Sequence, residues 1–279
     1  MELTKKRARI IYDVCCEHLI EEGSKRKINI THRLIKRYMD NHGYRVRDLS
    51  DVLGTLIWSI HSASMIPSVI KLDDGLIKNV LFNFDPKKIR NVYGDSSRKL
   101  AVAVKGYDTS IKIDGVLWQR FCVGIVDAGR WISQFKDFQA FLKYVKPFHE
   151  RGFEGLTMMA ESLGDGRIKG FKTALAFNFI KELGLPISKD TAKPDTHTIQ
   201  TLVSLGLSKR SDTENDIVLA ISTIAHKIGI TTFAMDRLIW LSNSGNFFKE
   251  EYDRLWTPAQ TPQHRQQVVK EIKKRWKQE

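Results

Sequence analysis

Two side chains in the middle of the chain have the chemistry of a catalytic pair, a lysine amine and an aspartate carboxylate. The amine of Lys172 can attack an electrophilic carbon, or it can stay protonated and contact a phosphate. Asp195 directly precedes a helical pattern over Thr196 to Leu205, and a carboxylate there can stabilise a developing positive charge or take up a proton. Because aspartate is also a common helix N-cap, the sequence leaves both roles open for Asp195.

Glycine residues predict a tight turn between two helices directly before Lys172. An apolar helical run, Leu156 to Leu163, ends at Gly164, and a second run follows with apolar side chains at helical spacing. Two helices joined by so short a glycine-containing turn form a helix–turn–helix or a helix–hairpin–helix unit. Such a turn leaves backbone N–H groups free at the start of the second helix, which suits a DNA phosphate. The predicted DNA-binding residues are Gly166, Lys169, Gly170 and Thr173.

Two segments, KGFKTA at 169–174 and PDTHT at 194–198, resemble the helix–hairpin–helix DNA glycosylases of the endonuclease III superfamily. In this resemblance Gly170 matches the second hairpin glycine, Lys172 the catalytic lysine and Asp195 the catalytic aspartate. The Leu-Pro-Gly of the family is replaced here by Gly166-Arg167-Ile168, so the first hairpin glycine is absent.

The resemblance implies a mainly α-helical, two-lobed fold with the active-site cleft between the lobes. One lobe would span residues 71–184 and end with the hairpin. The other would combine an N-terminal helical segment, 1–70, with residues 185–279. The implied activity is excision of a damaged or modified base from DNA, by flipping the nucleotide and cleaving the N-glycosidic bond. If Lys172 is the nucleophile, the enzyme is also an abasic-site lyase; otherwise water activated by Asp195 makes it a monofunctional glycosylase.

A second hypothesis is a non-enzymatic DNA-binding protein that uses the same hairpin. The feature that separates the two is the Pro-Asp-Thr-His run at 194–197, which a binding-only hairpin does not require. Within the glycosylase hypothesis, repair of damaged bases and defence against modified phage DNA both remain open, as does the identity of the base.

The charge of the chain favours a polyanionic partner. Its 45 Lys and Arg against 32 Asp and Glu give a net charge of +13, which favours nucleic acid first and an anionic membrane second. The sequence contains no apolar run long enough to predict a membrane span, no HExxH or CxxC motif, and only three cysteines. We therefore expect double-stranded DNA with a modified or damaged base as partner, no membrane, metal or cofactor, and a cytoplasmic, nucleoid-associated monomer.

Aromatic side chains upstream of the hairpin supply candidates for a base pocket. They lie in two predicted helices, Trp118 to Val126 and Trp131 to Val145. Aromatic rings can stack on an extruded base, but at helical spacing they also build a hydrophobic core. The base-pocket candidates are Trp118, Gln119, Trp131 and Gln134, and Asp127 and Arg130 are further polar residues able to read a base edge.

Other helical patterns flank this central part of the chain. Helices are predicted over residues 4–22, 48–62, 213–228, 231–241 and 263–277. A further helix, between the first two of these, is predicted to start after a Thr31 cap. The first three helices along the chain can form a DNA-reading helix–turn–helix or a simple packing unit. Residues 100–118 fit both a helix and a hairpin. The last helix has an apolar stripe of Val268, Ile272 and Trp276, with lysines outside it that can contact phosphate or solvent.

Overall fold

Helices make up the regular structure of this protein. The computed structural model describes residues 2–41, 45–62, 75–107, 116–244 and 261–279, and within these ranges it is mainly helical and contains no strand. The helices are α1 (Lys5–Lys25), α2 (His32–Asp40), α3 (Leu49–His61), α4 (Gly75–Val80), α5 (Pro86–Tyr93), α6 (Ser97–Tyr107), α7 (Val116–Ile132), α8 (Phe138–Glu150), α9 (Gly152–Gly164), α10 (Thr173–Glu182), α11 (Thr196–Leu205), α12 (Glu214–Ile228), α13 (Thr232–Ser244) and α14 (Thr261–Trp276). Two short 3-10 helices cover Phe82–Phe84 and Pro186–Asp190. The predicted mainly helical class is confirmed.

The helices belong to two compact units. Unit 1 comprises Met1–Gly43 and Ser188–Glu279, and unit 2 comprises Tyr44–Ile187. The change of unit near Ile187 lies close to the lobe boundary expected at residue 184. Helix α3 belongs to unit 2, where it packs on α7 and α10, whereas the sequence analysis grouped it with the C-terminal helices.

Side-chain caps explain where many of these helices start. A side-chain oxygen at the residue before the helix accepts a backbone N–H from the first turn, which satisfies a donor that has no partner inside the helix. Thr31 caps α2 as predicted, and Thr213 and Asp216 form a reciprocal capping box at α12. The other caps of this kind are Thr4, Asp48, Asp85, Asp137 and Asp195.

Helix α13 is the central helix of unit 1. It packs on α1, α2, α11, α12 and α14, and eleven of its residues are buried, from Thr232 to Ser244. Within the described ranges no single helix is long and apolar enough to cross a membrane; α12 and α13 together meet the length and composition test, but with a 106° bend between them.

The C-terminal helix α14 docks on α1 and α13, and its predicted apolar stripe is confirmed. Val268, Ile272 and Trp276 are all buried. The guanidinium of Arg275 donates to both carboxylate oxygens of Glu17 on α1, at 3.2 and 2.5 Å. The apolar stripe and this ion pair therefore fasten α14 to α1.

A buried histidine pair also joins α1 to α14. The Nε2 atom of His18 lies 3.2 Å from Nδ1 of His264. Burial and the neighbouring His264 lower the pKa of His18 to about 4, and burial lowers the pKa of His264. Glu22, Lys25 and Arg26 are the charged groups that act on this pair. Both rings therefore stay neutral in the folded chain at a pH where an unfolded histidine is already protonated.

We expect this pair to make folding stability depend on pH. Between about pH 6.5 and pH 4 the unfolded chain binds protons that the folded pair does not, so stability falls as pH falls through this window. The free energy of unfolding, measured with urea, should fall more steeply with decreasing pH in the wild type than in His18→Gln. The difference in slope should be up to about 1.4 kcal/mol per pH unit. Replacement of the exposed His149 with Gln is the control, and equal slopes in wild type and His18→Gln would contradict the account.

Helix α7 organises unit 2. It packs on α3, α5 and α6, while α10 packs on α3 and α9. Trp131, at the end of α7, contacts the rings of Phe135, Phe141, Tyr144 and Phe179 edge-on, with centroid distances of 5.7 to 6.4 Å. These side chains form the aromatic core behind the hairpin.

Two element boundaries in unit 2 differ from the predicted ones. Trp131 belongs to α7 and does not open the next helix, which begins at Phe138 behind an Asp137 cap. Residues 97–107 are helical, which decides between helix and hairpin for the first part of the ambiguous segment. The remainder of that segment, up to residue 115, lies outside the described residues.

Candidate active site

The predicted helix–turn–helix unit is present in unit 2. Helix α9 ends at Gly164 and α10 begins at Thr173. In the turn between them Gly166 has a φ of +85° and Gly170 a φ of +80°, a conformation that side chains with a Cβ rarely adopt. Ile168, between these glycines, and Phe171, directly after Gly170, are buried, and the N–H of Phe171 donates to the Ile168 carbonyl at 3.0 Å. The turn is thus anchored inward by two apolar side chains and presents the residues around them outward.

Gly164 lets the two helices of the hairpin meet closely. A Cβ at this position would lie 2.8 Å from the backbone nitrogen of Thr173 and 3.0 Å from its hydroxyl oxygen. The backbone of Thr173 cannot move aside as the end of a flexible side chain can. A larger residue at position 164 would therefore displace the start of α10.

The start of α10 presents free backbone donors. Lys172 occupies the N-cap position, but a lysine cannot accept a hydrogen bond, and no side chain caps this helix. The Lys172 carbonyl accepts the N–H groups of Leu175 and Ala176, whereas those of Thr173 and Ala174 have no acceptor in the part of the chain that the structure describes. Two free N–H groups next to an exposed lysine form a site suited to an anion such as a phosphate.

Asp127 on α7 fixes the position of the hairpin loop. One of its carboxylate oxygens accepts the backbone N–H of Lys169 at 3.0 Å, and the other accepts from Arg130 at 2.5 Å. Arg130 also donates to Asp95 at 3.0 Å. Asp127 and Arg130, which the sequence offered for reading a base edge, are engaged within unit 2 instead.

If the hairpin binds DNA, as the sequence predicts, Asp127→Ala should weaken that binding because it removes the acceptor that holds Lys169. Asp95→Ala is the matched control: it removes the other carboxylate partner of Arg130 but leaves the hairpin contact in place. Fluorescence anisotropy with a labelled duplex should show a loss of about 10-fold for Asp127→Ala and less than about 2-fold for Asp95→Ala. Equal affinities for the two variants would show that this contact does not position the hairpin.

A pocket of about 430 Å³ lies beside the hairpin, and Glu161, Gly164, Asp165 and Thr173 line it together with two other side chains. Its two carboxylates disfavour a phosphate at this place. A phosphate at the start of α10 is therefore favoured on the side that faces the loop, where Arg167, Lys169 and Lys172 are exposed.

Asp195 lies in unit 1 at the start of α11. Its Oδ1 atom accepts the N–H of Thr198 at 3.0 Å, so Asp195 is an N-cap. Its Oδ2 atom has no hydrogen-bond partner among the described residues, and the residue is only partly buried. The capping role therefore engages one carboxylate oxygen and leaves the second available for chemistry.

Two further polar atoms near Asp195 are buried without a hydrogen-bond partner in the described ranges. They are Nδ1 of His197 and Oγ1 of Thr198. The Thr201 hydroxyl donates to the His197 carbonyl at 2.8 Å, which satisfies the backbone of this residue but not its ring. The first turn of α11 therefore has hydrogen-bonding capacity that the fold itself does not use.

The four base-pocket candidates differ in exposure. Trp118 and Trp131 are 6% and 5% exposed, and both pack against other aromatic rings. Gln119 and Gln134 are exposed. The tryptophans thus contribute to the core of unit 2, which the sequence analysis recognised as the alternative role for aromatic residues at helical spacing.

One exposed aromatic residue was missed by the sequence analysis. Trp58 on α3 is 47% exposed and stacks on His61, with ring centroids 5.9 Å apart and planes at 25°. It lies off the apolar stripe of this helix, which contains Val52, Leu56 and Ile60, and that position is the signal that could have identified it. Its ring is accessible for stacking on a nucleobase.

Cysteine and metal chemistry have little support in the described residues. Burial raises the pKa of Cys15, Cys16 and Cys122 to about 12, which keeps these thiols protonated and poorly nucleophilic. No group of three or more His, Cys, Asp and Glu side chains with metal-binding geometry occurs in the ranges that the structure covers.

The hairpin brings Gly166, Lys169, Gly170, Lys172 and Thr173 together in unit 2, whereas Asp195 belongs to unit 1. No protein-family model, curated protein or solved structure matches the chain. The case for a function therefore rests on the geometry of the hairpin and on the environment of Asp195.

Proposed function

We propose that the protein is a DNA glycosylase that flips a damaged or modified nucleotide out of the duplex and cleaves its N-glycosidic bond. The observation that carries the proposal is the hairpin, with two positive-φ glycines, two free N–H groups and an exposed lysine at the start of α10. The resemblance of KGFKTA and PDTHT to the helix–hairpin–helix glycosylases supports the same function.

The hairpin is the DNA-binding element in this proposal. The N–H groups of Thr173 and Ala174 have no acceptor at the start of α10 among the described residues, and the helix dipole favours an anion there. Lys169 and Lys172 add positive charge on the exposed side of the same turn. Contacts of this kind are made to the phosphate backbone, so binding is independent of sequence and falls steeply with salt.

Asp195 is the catalytic carboxylate in this proposal. Cleavage of the bond between C1′ and the base builds positive charge on the sugar, and a nearby carboxylate stabilises that charge. The free Oδ2 atom is suited to this role, or to taking a proton from the nucleophile, while Oδ1 holds the helix cap. Both roles thus fit one side chain.

Lys172 is the proposed nucleophile. The amine first loses to solvent the proton that it carries in a phosphate contact; the neutral amine then attacks C1′, the glycosidic bond breaks, and the base leaves with the bonding electrons and takes up a proton. The amine then loses a proton as the sugar ring opens to an imine, from which the 3′ phosphate can be eliminated. Lys172 makes no side-chain hydrogen bond or ion pair in the described structure, so its amine is not engaged elsewhere.

A non-enzymatic DNA-binding protein is the second candidate, because the hairpin alone supports binding. This second hypothesis assigns no role to the free Oδ2 atom of Asp195. The test is the appearance of abasic sites, detected as strand breaks or as alkali-labile sites, in DNA incubated with the protein. The glycosylase proposal requires such sites with the wild type and not with Asp195→Asn; turnover retained by that variant would contradict the proposal. The same assay on genomic and on modified phage DNA separates a repair role from a defence role.

A further inference from the structure

A basic groove runs between α11 and α14 on unit 1. It has a volume of about 840 Å³, with Ser204 on one side and, on the other, Arg265, Lys270 and Lys273 of α14 and Lys277 directly after it. Val269, which is 9% exposed, forms its apolar floor. A second hollow of about 240 Å³ shares Ser204 and Arg265 with the groove and continues along α11 to Ile199. The two hollows are thus neighbours on a single unit.

The charges in this groove have no internal compensation. No carboxylate lines either hollow. Among the residues that the structure covers, Arg265, Lys270, Lys273 and Lys277 form no ion pair, and Arg210 in the second hollow forms none either. Lys274 at the rim is paired with Glu271 at 3.5 Å. A row of unpaired cations on one helix creates a positive potential that attracts a polyanion.

We propose that this groove binds the phosphate backbone of duplex DNA and gives unit 1 a DNA-binding surface of its own. At the helical rise, Arg265 to Lys277 spans about 18 Å, which corresponds to about five base-pair steps along the duplex axis. No aromatic side chain lines either hollow, so the groove lacks the rings on which unpaired bases stack. Its chemistry thus favours a duplex backbone over single-stranded bases.

The groove leads toward the proposed catalytic carboxylate on the same helix. Ile199, at the end of the second hollow, donates its N–H to the Asp195 carbonyl at 2.9 Å and is therefore one helical turn from Asp195. A backbone that extends from the groove into the second hollow lies along the helix that Asp195 caps. The inference rests on the proposed function in one respect: the ligand of the groove is taken to be the substrate duplex.

The test compares two triple variants that remove the same number of positive charges. The first replaces Lys270, Lys273 and Lys277 with Gln, and the matched control replaces the exposed Lys136, Lys143 and Lys146 in unit 2. Binding of each full-length protein to an unmodified 20-base-pair duplex is measured from about 50 to 200 mM salt. We expect the groove variant to lose about 10- to 100-fold in affinity and its salt slope to fall by about 2 to 3, with little change in the control.

Equal losses in the two triple variants, or no loss in the groove variant, would overturn the inference. A further arm measures binding to vesicles of phosphatidylserine and phosphatidylcholine. If the groove variant loses vesicle binding and keeps its DNA affinity, the inference is also overturned. Base release at saturating DNA separates this inference from the proposed function. If the wild type releases no base and the groove variant still binds the duplex more weakly than the wild type, the inference about the groove stands and the glycosylase assignment is wrong.

Discussion

Replacement of Asp195 with Asn is expected to slow base release by about 1,000-fold while leaving the fold and the DNA affinity unchanged. Asparagine caps a helix about as well as aspartate, because its side-chain oxygen can also accept the N–H of Thr198. The variant therefore removes the negative charge and the proton-accepting Oδ2 but keeps the cap. The rate is measured under single turnover, and the stability by thermal unfolding.

Asp195→Ala is the comparison that separates the two roles of this side chain. It removes the cap as well, so we expect it to lose about 1 kcal/mol of stability that Asp195→Asn retains. Both variants should be equally inactive if the charge matters for catalysis. A residue that is only a cap gives the opposite pattern, in which Asp195→Asn keeps full turnover and only Asp195→Ala is affected.

Lys172→Arg is expected to abolish covalent trapping of the protein on its substrate while preserving most of the binding. A guanidinium keeps the charge and its phosphate contact, but it stays protonated and cannot attack C1′. Treatment of the wild-type reaction with borohydride reduces the imine and leaves a stable protein–DNA adduct, which a denaturing gel resolves. The expected loss of adduct in Lys172→Arg is at least about 100-fold.

Lys172→Met completes the test because it removes both charge and nucleophile. It should lose trapping and also bind DNA more weakly than Lys172→Arg. Because the side chain is exposed and caps nothing, neither change should alter stability. Base release without any trapped adduct in the wild type would contradict the nucleophilic role and identify a monofunctional glycosylase that uses water.

The features that the sequence predicted well are those that depend on local signals. Glycines at 166 and 170 indicated a turn, and both have the left-handed conformation that favours this residue. The cap at Thr31 and the acidic first turn of α12 follow from helix-end chemistry that involves only neighbouring residues. These signals place the hairpin and the start of α11 correctly along the chain.

The features that the sequence did not predict depend on tertiary contacts. Asp127 lies 42 positions before Lys169 along the chain, and nothing in the local pattern shows that its carboxylate holds the hairpin. Helix α3 follows α2 closely but packs on α7 and α10, so its amphipathic pattern could not identify its partners. The groove depends likewise on the packing of α14 beside α11.

The most direct test of the glycosylase assignment is mass spectrometry of free bases released from a panel of DNAs. The panel contains alkylated, oxidised, deaminated and phage-modified DNA, and the wild type is run beside Asp195→Asn. The account predicts that the wild type releases at least one base and that Asp195→Asn, which binds the same DNA equally well, releases none. Release of no base from any of these DNAs, with tight binding by both proteins, would contradict the account and identify a DNA-binding protein without glycosylase activity.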